Sequence, residues 1–492
     1  MRKRNLVRNT VIGVVCFAVI AVGVFFGVQF VTKTGVFQVP GVVYYDDSLD
    51  DDELAMLGEI FNEKVELDKD VVITARNELA LPELKPGEFL YNIYVPVTDF
   101  YSTEDELEVS SVDEMFTNCL DCGWELIPVD ELDFQRKLMR VNGEYYLDTF
   151  KTGAVFRVVS FESELYEKEI GPLVAEKMAR EFPSGDEVLT LAQTGVTALS
   201  RGMNKKLYQV GDARYFAEEI GEFLSSFDLT HTSNESSFTD FANASNICSD
   251  KRFIGTLTAI GLDIVELTGN HNQDCGLEAA RETIDVYREN GILTVGGGKT
   301  ATEAVIPLEI NEKGNRVTML AFNESTGGAT YGDTPGANQY YEEVAATQIA
   351  EAKGRGDLVI VDVQYYECSA YASEYEDPIC DRADSAAGDQ VGFFRELIDM
   401  GADVVVGTSA HQPQTFELYG DGVIYYGLGN LFFVQIWWPG TTRSLVLVHH
   451  IYKDKLLQTE IVPTVYGEEM QTRLLDEETA KWFLNRLISV RP

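Results

Sequence analysis

Short apolar runs typical of strands alternate with amphipathic helical segments through most of the chain after residue 184. Strands are predicted at Val188–Gln193, Leu229–Thr232, Asp263–Leu267, Ile292–Val295, Val317–Phe322, Asp357–Gln364, Ala402–Val406, Val423–Tyr426, Ser444–Tyr452 and Lys455–Val462. Helices are predicted at Ala213–Ser226, Lys251–Ile260, Leu277–Asn290, Gln339–Lys353, Val391–Met400 and Glu477–Ser489. This alternation predicts an α/β fold with a mostly parallel sheet covered on both faces.

The 492 residues are too many for one ordinary domain. The tripeptide Pro183-Ser184-Gly185 marks a boundary, because proline and glycine interrupt regular structure. Residues 36–183 mix strand and helix signals without regular alternation and contain no histidine. We therefore predict a smaller α+β domain at 36–183, interpreted as a binding or spacer module, followed by an α/β domain at 184–492.

The first 35 residues have the pattern of a membrane anchor. Four basic residues precede an apolar run from Val11 to Val31 that only Gln29 interrupts. About 20 apolar residues span a membrane, whereas the apolar core of a cleaved signal has about 7–15. We expect an uncleaved single-pass helix in the cell membrane, with the basic N-terminus in the cytoplasm and the bulk of the chain extracytoplasmic. A cleaved signal is the alternative.

The charge of the chain excludes one class of partner. The net charge is −41, and without residues 1–35 the remaining 34 basic and 80 acidic residues give −46. Such a field repels nucleic acids and anionic lipid head groups, so we predict no nucleic-acid partner.

Six cysteines lie beyond the predicted anchor, an even number that permits disulfides in an oxidising compartment. Cys119 and Cys122 could form a small bridge or remain free thiols. A bridge between Cys368 and Cys380 would close the loop between them. The sequence leaves the pairing open.

Candidate ligands are concentrated where the predicted strand Asp263–Leu267 ends. Asn270, His271 and Asp274 follow within seven residues, just before the helix predicted from Leu277. Ligands of α/β proteins collect at the carboxyl ends of strands. Imidazole with amide and carboxylate oxygens suits a divalent transition metal or a phosphate. Alternatively, the asparagine and aspartate merely cap the helix.

Four segments of the second domain resemble the CapA family of capsule or poly-γ-glutamate synthesis proteins. They are Leu229-Thr-His-Thr-Ser-Asn-Glu235, Gly269-Asn-His-Asn272 with Asp274, Gly401-Ala-Asp-Val-Val-Val-Gly407 with the following His411, and Val423-Ile-Tyr-Tyr-Gly-Leu-Gly-Asn430-Leu-Phe-Phe433. The resemblance spans about 188–435. It implies a layered α-β-β-α, metallophosphatase-like domain at the outer cell surface.

The resemblance also implies a site. Its metal ligands would be Asn234, Glu235, Asn270, His271 and His411, with His271 and Asp274 as catalytic residues. Manganese, zinc or magnesium would be the cofactor.

Three positions depart from the family pattern. Gly195 stands where an aspartate is expected, Gln364 begins the segment that replaces a His-Gly pair, and Ser409 replaces a histidine. A two-metal site needs carboxylate and imidazole ligands around both cations. These losses leave one cation site or none, with Asp274, Glu367 and Glu417 as substitutes to consider.

Two functions follow as hypotheses. In the first, the chain acts in the synthesis, anchoring or export of an extracellular polymer, with the anionic polymer or other membrane synthesis subunits as partners. In the second, it is a non-catalytic scaffold that retains the fold with a degraded metal site. The remaining histidines, His231, His449 and His450, are interpreted as structural because they fall on predicted strands.

Overall fold

The computed structural model describes 4–5, 43–45, 49, 54–55, 57, 71–112, 115, 123–162, 171–172, 174, 180–325, 327–365, 389–436 and 439–492. Its contacts divide the chain into two compact units, one comprising 1–132 and 136–185, the other 133–135 and 186–492. None of the helices described is both long and apolar enough to cross a membrane. The apolar run 11–31 lies outside the described residues, so the anchor stays a prediction. Cys119, Cys122, Glu367, Cys368 and Cys380 also lie outside them.

The first unit is built on a largely antiparallel sheet. Its strands in spatial order are Arg4–Asn5, Val43–Tyr45, Val71–Glu78, Val155–Glu162, Glu88–Asp99 and Trp124–Pro128, with Arg136–Leu138 also pairing with Glu88–Asp99. Shorter elements are the strands Glu106–Leu107 and Arg140–Val141, the helix Tyr146–Thr149 and the 3-10 turn Val129–Glu131. Ile73, Val95 and Phe156 are among the side chains buried in this unit.

The second unit contains two large sheets. Their strands in chain order are β1 (Leu189–Thr197), β2 (Leu229–Asn234), β3 (Ile264–Glu266), β4 (Leu293–Val295), β5 (Leu308–Glu312), β6 (Asn315–Asn323), β7 (Leu358–Gln364), β8 (Val404–Thr408), β9 (Phe416–Tyr419), β10 (Gly422–Tyr425), β11 (Asn430–Phe432), β12 (Arg443–Tyr452), β13 (Lys455–Tyr466) and β14 (Thr472–Leu474). Two small pairs join Phe238–Thr239 to Ser249–Asp250 and Gly297–Gly298 to Gly336–Ala337.

Helices connect these strands. Those longer than four residues are α1 (Gly202–Val210), α2 (Ile254–Ala259), α3 (Leu277–Glu289), α4 (Glu342–Arg355), α5 (Gln390–Asp399) and α6 (Glu477–Ile488). Shorter pieces are the helices Gly221–Leu224 and Ala301–Ala304 and the 3-10 turns Ala213–Ala217, Lys251–Phe253 and Pro439–Thr442.

Parallel strands form the middle of both sheets. The first sheet has the order β4-β3-β2-β1-β12-β13-β14, in which β4 to β1 are parallel, β12 to β14 are antiparallel, and β11 pairs in parallel with the end of β1. The second has the order β5-β6-β7-β8-β10-β9, with β6, β7, β8 and β10 parallel. The α/β prediction is confirmed.

The two sheets face each other and carry helices on their outer faces. On the first sheet, Ala192 and Val265 belong to one apolar cluster with Leu257 of α2 and Tyr287 of α3. On the second, the outer face packs on α4 and α5, through residues that include Val361, Val363, Ile349 and Phe394. The inner faces of the two sheets are in contact, as shown by the hydrogen bond from the Gln193 amide of β1 to the Asp362 carboxylate of β7. The layers are therefore helices, sheet, sheet and helices.

One predicted helix was wrong, and one helix longer than four residues and four strands of the large sheets, β5, β9, β11 and β14, were not predicted. The helix predicted at Ala213–Ser226 is instead a 3-10 turn, Ala213–Ala217, and a four-residue helix, Gly221–Leu224. The short helix begins where the backbone passes so close to the Ala259 carbonyl oxygen that a Cβ on Gly221 would lie 3.1 Å from it. Helix α1 was not predicted, because its buried face comprises only Met203, Asn204 and Leu207.

One disulfide lies within the described residues, joining Cys248 to Cys275 across a sequence separation of 27. Loop closure of this length lowers the entropy of the unfolded chain by an amount worth about 3–4 kcal/mol in the chain-entropy model. Cys275 ends the turn that carries Asn270 and His271, so the bridge ties that turn to the segment before Ser249–Asp250.

Candidate functional site

A polar site lies at the edge where the central parallel strands of both sheets end. Glu235 directly follows β2, Asn270 follows β3, Gln364 ends β7, and His411 follows β8. Side-chain contacts link all four, which places residues from two different sheets in one cluster. This is the position at which α/β folds hold ligands.

Glu235 is the buried acid of the cluster, with no part of its surface exposed. Its backbone N–H donates to the Thr197 carbonyl oxygen at 3.0 Å, which fixes it against β1. Oε1 lies 3.5 Å from the Gln364 amide nitrogen, whereas Oε2 is buried without a hydrogen-bond partner among the described residues. A buried carboxylate oxygen left unpaired is costly, so Oε2 calls for a cation or a donor from a ligand.

The orientation of His411 follows from its neighbour Asn430. The Asn430 amide nitrogen donates to Gln435 Oε1 at 3.1 Å and to the Thr441 carbonyl at 3.2 Å, so its Oδ1 must face His411. His411 Nδ1, 3.0 Å from that oxygen, is therefore the donor. In the neutral ring Nε2 is then an acceptor, and it lies 3.9 Å from Glu235 Oε2. With the ring neutral, this nitrogen and the carboxylate oxygen face each other as two ligands of one cation would.

Gln364 presents a donor at the position where the family resemblance implies a histidine ligand. Its Oε1 accepts a hydrogen bond from the Thr408 hydroxyl at 3.2 Å, which turns its amide nitrogen toward the site. That nitrogen donates to Asn270 Oδ1 at 3.2 Å. An N–H group cannot ligate a metal, so this position does not support a second cation.

The structure brings Glu235, Asn270 and His411 together, but gives the other predicted site residues different surroundings. His271 Nδ1 and Asp274 Oδ2 are 2.7 Å apart on a partly exposed turn, with 26% and 45% of their side chains exposed. The Asn234 side chain donates to the Ser236 carbonyl at 2.8 Å. The roles assigned to these residues stay predictions.

One departure from the family pattern, Gly195, has a structural cause. A Cβ on Gly195 would lie 2.1 Å from the Gly429 carbonyl oxygen, so an aspartate does not fit there. Glu417, considered as a substitute ligand, is bound by Arg395 at 2.8 and 2.7 Å and by the Tyr426 hydroxyl at 2.6 Å. The hydrogen bonds to Glu417 raise the pKa of Arg395, so Glu417 is the anion of a structural pair.

The side chains present at the site determine whether a metal ion fits there. Among the residues that the structure describes, no group of three or more histidine, cysteine, aspartate or glutamate side chains could hold a metal ion. Glu235 and His411 supply two such donors, and the third nearby oxygen belongs to the Asn270 amide. These residues do not fit a two-metal centre, which needs ligands around both cations.

Ionisable residues that sequence reasoning did not select lie between the sheets, beneath the site. Asp362 and Glu266 are fully buried, and His231 Nε2 lies 3.4 Å from Asp362 Oδ2. Glu266 accepts a hydrogen bond from the Thr268 N–H. Burial, and then the nearby charge of Asp362, raises the pKa of Glu266 to about 7. The signal that could have found Asp362 is its position two residues before Gln364, since alternate residues of a strand share a face.

His449 completes this layer as a neutral residue. Its Nε2 is 3.1 Å from Gln193 Oε1 and its Nδ1 is 2.9 Å from the Thr459 hydroxyl. Burial, followed by the charges of His450 and His231, lowers the pKa of His449 to about 3. Its hydrogen bonds agree with the structural role expected of it.

The fold and the site define an α/β protein with a buried glutamate–histidine pair where the parallel strands of two sheets end. The chain belongs to the bacterial capsule synthesis protein family PGA_cap, whose model matches residues 190–435, half of the chain. That match covers every residue of the cluster.

Particular relatives are similar over the same region. The capsule biosynthesis protein CapA of Bacillus anthracis is 29% identical over 209 residues, 41% of this chain and 47% of that protein. The PGA biosynthesis protein CapA of Bacillus subtilis (strain 168) is 28% identical over 219 residues, 44% of this chain and 54% of that protein. A probable polyglutamine synthesis accessory protein of Mycobacterium tuberculosis is 28% identical over 191 residues, 36% of this chain and 47% of that protein. The chain thus spans about half the length of the curated relatives it matches.

Proposed function

We propose that this chain is an accessory protein in the synthesis, anchoring or export of an anionic surface polymer, poly-γ-glutamate or a capsule polymer. The observation that carries the proposal is the family match over a region whose four linked side chains form one buried polar site. In this proposal the chain is a single-pass membrane protein with an extracytoplasmic, metallophosphatase-like domain, and it works beside other membrane synthesis subunits.

The site offers groups that complement a polymer of linked amino acids. The Gln364 amide donates toward the site, and the opposed acceptors Glu235 Oε2 and His411 Nε2 bind electropositive groups. A divalent cation, manganese, zinc or magnesium, held by Glu235 and His411 would neutralise a carboxylate of the polymer. Asn270 would orient the anionic group.

A second candidate is a binding protein or scaffold without catalysis. It is favoured by two observations, the donor that Gln364 presents at a ligand position and the absence of space for a side chain at Gly195. Both features remove ligands that hydrolytic two-metal chemistry uses.

Deletion of the gene is expected to abolish surface polymer, and the wild-type chain is expected to restore it. Glu235→Gln should fail to restore it, because the amide removes the buried negative charge while keeping the shape of the side chain. Surface polymer is measured chemically on washed cells, and unfolding midpoints of the purified chains are compared. Glu289→Gln makes the same chemical change on an exposed helix end and should behave as wild type. Unaltered polymer in the deletion strain would remove the proposal.

Metal addition tests the cation and separates the two candidates. The detergent-solubilised full chain should unfold several degrees higher with manganese, zinc or magnesium, because a ligand at a hundred times its Kd stabilises by about 2.7 kcal/mol. His411→Gln should abolish the increase, and Glu289→Gln should retain it. A wild-type midpoint that none of the three metals moves would favour the scaffold.

A further inference from the structure

Arg201 lies near the site, and the Phe433 ring contacts both its guanidinium and His411. Arg201 follows β1 and directly precedes α1. Its guanidinium lies 5.1 Å from the centre of the Phe433 ring, and the centre of that ring lies 5.1 Å from the centre of the His411 imidazole, with the two ring planes inclined at 60°. His411 in turn is 3.9 Å from the Glu235 carboxylate. The order along this contact chain is guanidinium, phenyl ring, imidazole and carboxylate.

The guanidinium has no carboxylate partner among the described residues, although acidic residues outnumber basic ones two to one in the chain. Several other arginines of the same unit are paired with carboxylates, whereas Arg281 donates to carbonyl oxygens only. Arg214 contacts Asp212 at 2.7 Å, Arg252 contacts Asp250 at 2.9 Å, and Arg395 contacts Glu417 at 2.7 Å. Within the part of the chain that the structure describes, the Arg201 guanidinium is therefore the cation near the site that an external anion could meet.

The backbone of Arg201 is strained. Its φ of 52° with ψ of −119° lies in a region that residues with a side chain rarely adopt and that glycine adopts readily. Hydrogen bonds hold the chain on both sides of it, from Ala198 N–H to the Phe432 carbonyl at 2.9 Å and from Met203 N–H to the Ser200 carbonyl at 3.0 Å. Strained backbone of this kind is found more often at functional sites than elsewhere.

We propose that Arg201 binds a carboxylate of the anionic polymer and holds it beside Glu235 and His411. This inference rests on the proposed function and adds to it the residue that recognises the polymer. A planar guanidinium can bind a carboxylate through two parallel hydrogen bonds while its face stays on Phe433. In a chain of net charge −41, a polyanion needs such a cation at the point of contact.

Arg201→Gly provides the test, since glycine removes the guanidinium and also relieves the strain. The detergent-solubilised full chain is titrated calorimetrically with a γ-linked oligoglutamate at low ionic strength. We expect affinity to fall about tenfold or more, as for loss of a charge-assisted hydrogen-bonded pair, while the unfolding midpoint stays equal or rises. Arg201→Lys keeps the charge and should lose less affinity. Lys205→Ala removes an exposed cation one turn further on and should bind as wild type.

Two results would overturn the inference. Equal affinity of Arg201→Gly and wild type would show that the guanidinium does not hold the polymer. A lower unfolding midpoint of Arg201→Gly, together with an equal loss of affinity in Arg201→Lys, would show that Arg201 acts through its contact with Phe433 and not through its charge. Either result leaves the proposed function standing, because that is decided by polymer on the surface of the deletion strain.

Discussion

Placing an aspartate at position 195 is expected to unfold the second unit rather than to restore a metal ligand. The Cβ that any substitution adds would lie 2.1 Å from the Gly429 carbonyl oxygen, which is backbone and is itself bonded to the Val196 N–H at 2.8 Å. Neither β1 nor the segment before β11 can move without breaking their pairing. The carboxylate would add the cost of a buried charge.

Chemical denaturation of Gly195→Ala separates the steric cost from the charge. We expect Gly195→Ala to lose at least about 3 kcal/mol of unfolding free energy and Gly195→Asp to exceed about 4 kcal/mol, the range of exceptional mutants. Gly354→Ala is the matched control, because an added Cβ meets nothing within 4 Å in an exposed position of α4. The free energy of unfolding of Gly354→Ala should rise by up to about 1 kcal/mol relative to the wild type. A stable Gly195→Asp chain that binds more metal than wild type would contradict the close packing described.

Glu266→Gln is expected to stabilise the protein at pH 8 by about 3 kcal/mol and to change little below pH 4.5. The folded-state pKa of Glu266 is raised from 4.5 to about 7 by burial and by Asp362. An acid whose pKa is raised by folding makes its full contribution to the free energy of unfolding below pH 4.5, where it is protonated. This contribution is lost as the pH rises through about 7. Glutamine is neutral at every pH and keeps an oxygen for the Thr268 N–H.

Urea denaturation of both chains at pH 4.5, 6 and 8 measures this difference. The stability gained by Glu266→Gln should grow between pH 4.5 and about 7 and then stay constant. Other titratable groups of this layer are His231, Asp362 and His449, and both chains retain them. For His449, whose pKa is lowered to about 3, stability is lost as the pH falls below 6.5, equally in both chains. A pH-independent gain would contradict the prediction.

The sequence predicted ten of the fourteen strands in the two large sheets, most of which carry apolar runs, and missed β5, β9, β11 and β14. The prediction of Val317–Phe322 compares with Asn315–Asn323, and that of Ser444–Tyr452 with Arg443–Tyr452. The sequence could not show that the strands divide between two facing sheets. Strands and helices alternate along the chain in the same way whether they form one sheet or two. Helix α1 was missed because few of its residues are buried.

The sequence predicted that residues of the site lie together at the strand ends, but it did not predict the hydrogen bonds that orient them. Glu235, Asn270 and His411 could be placed at one edge from the sequence. The donor direction of Gln364 depends on Thr408, and the tautomer of His411 depends on Asn430 with Gln435 and Thr441. Those partners are fixed by tertiary packing, for which the sequence carries no local signal.

The hydrogen bond between Gln193 and Asp362 sets the alignment of one sheet over the other. Apolar faces in contact can slide by one pleat repeat at modest cost, whereas a buried amide and carboxylate are satisfied in a single alignment. A slip of two residues would displace a strand by about 7 Å. Glu235 stands on one sheet and Gln364 and His411 on the other, 3.5 and 3.9 Å away. The hydrogen bond between Gln193 and Asp362 therefore helps to keep the two halves of the site in register, although Gln193 contacts none of the four linked side chains.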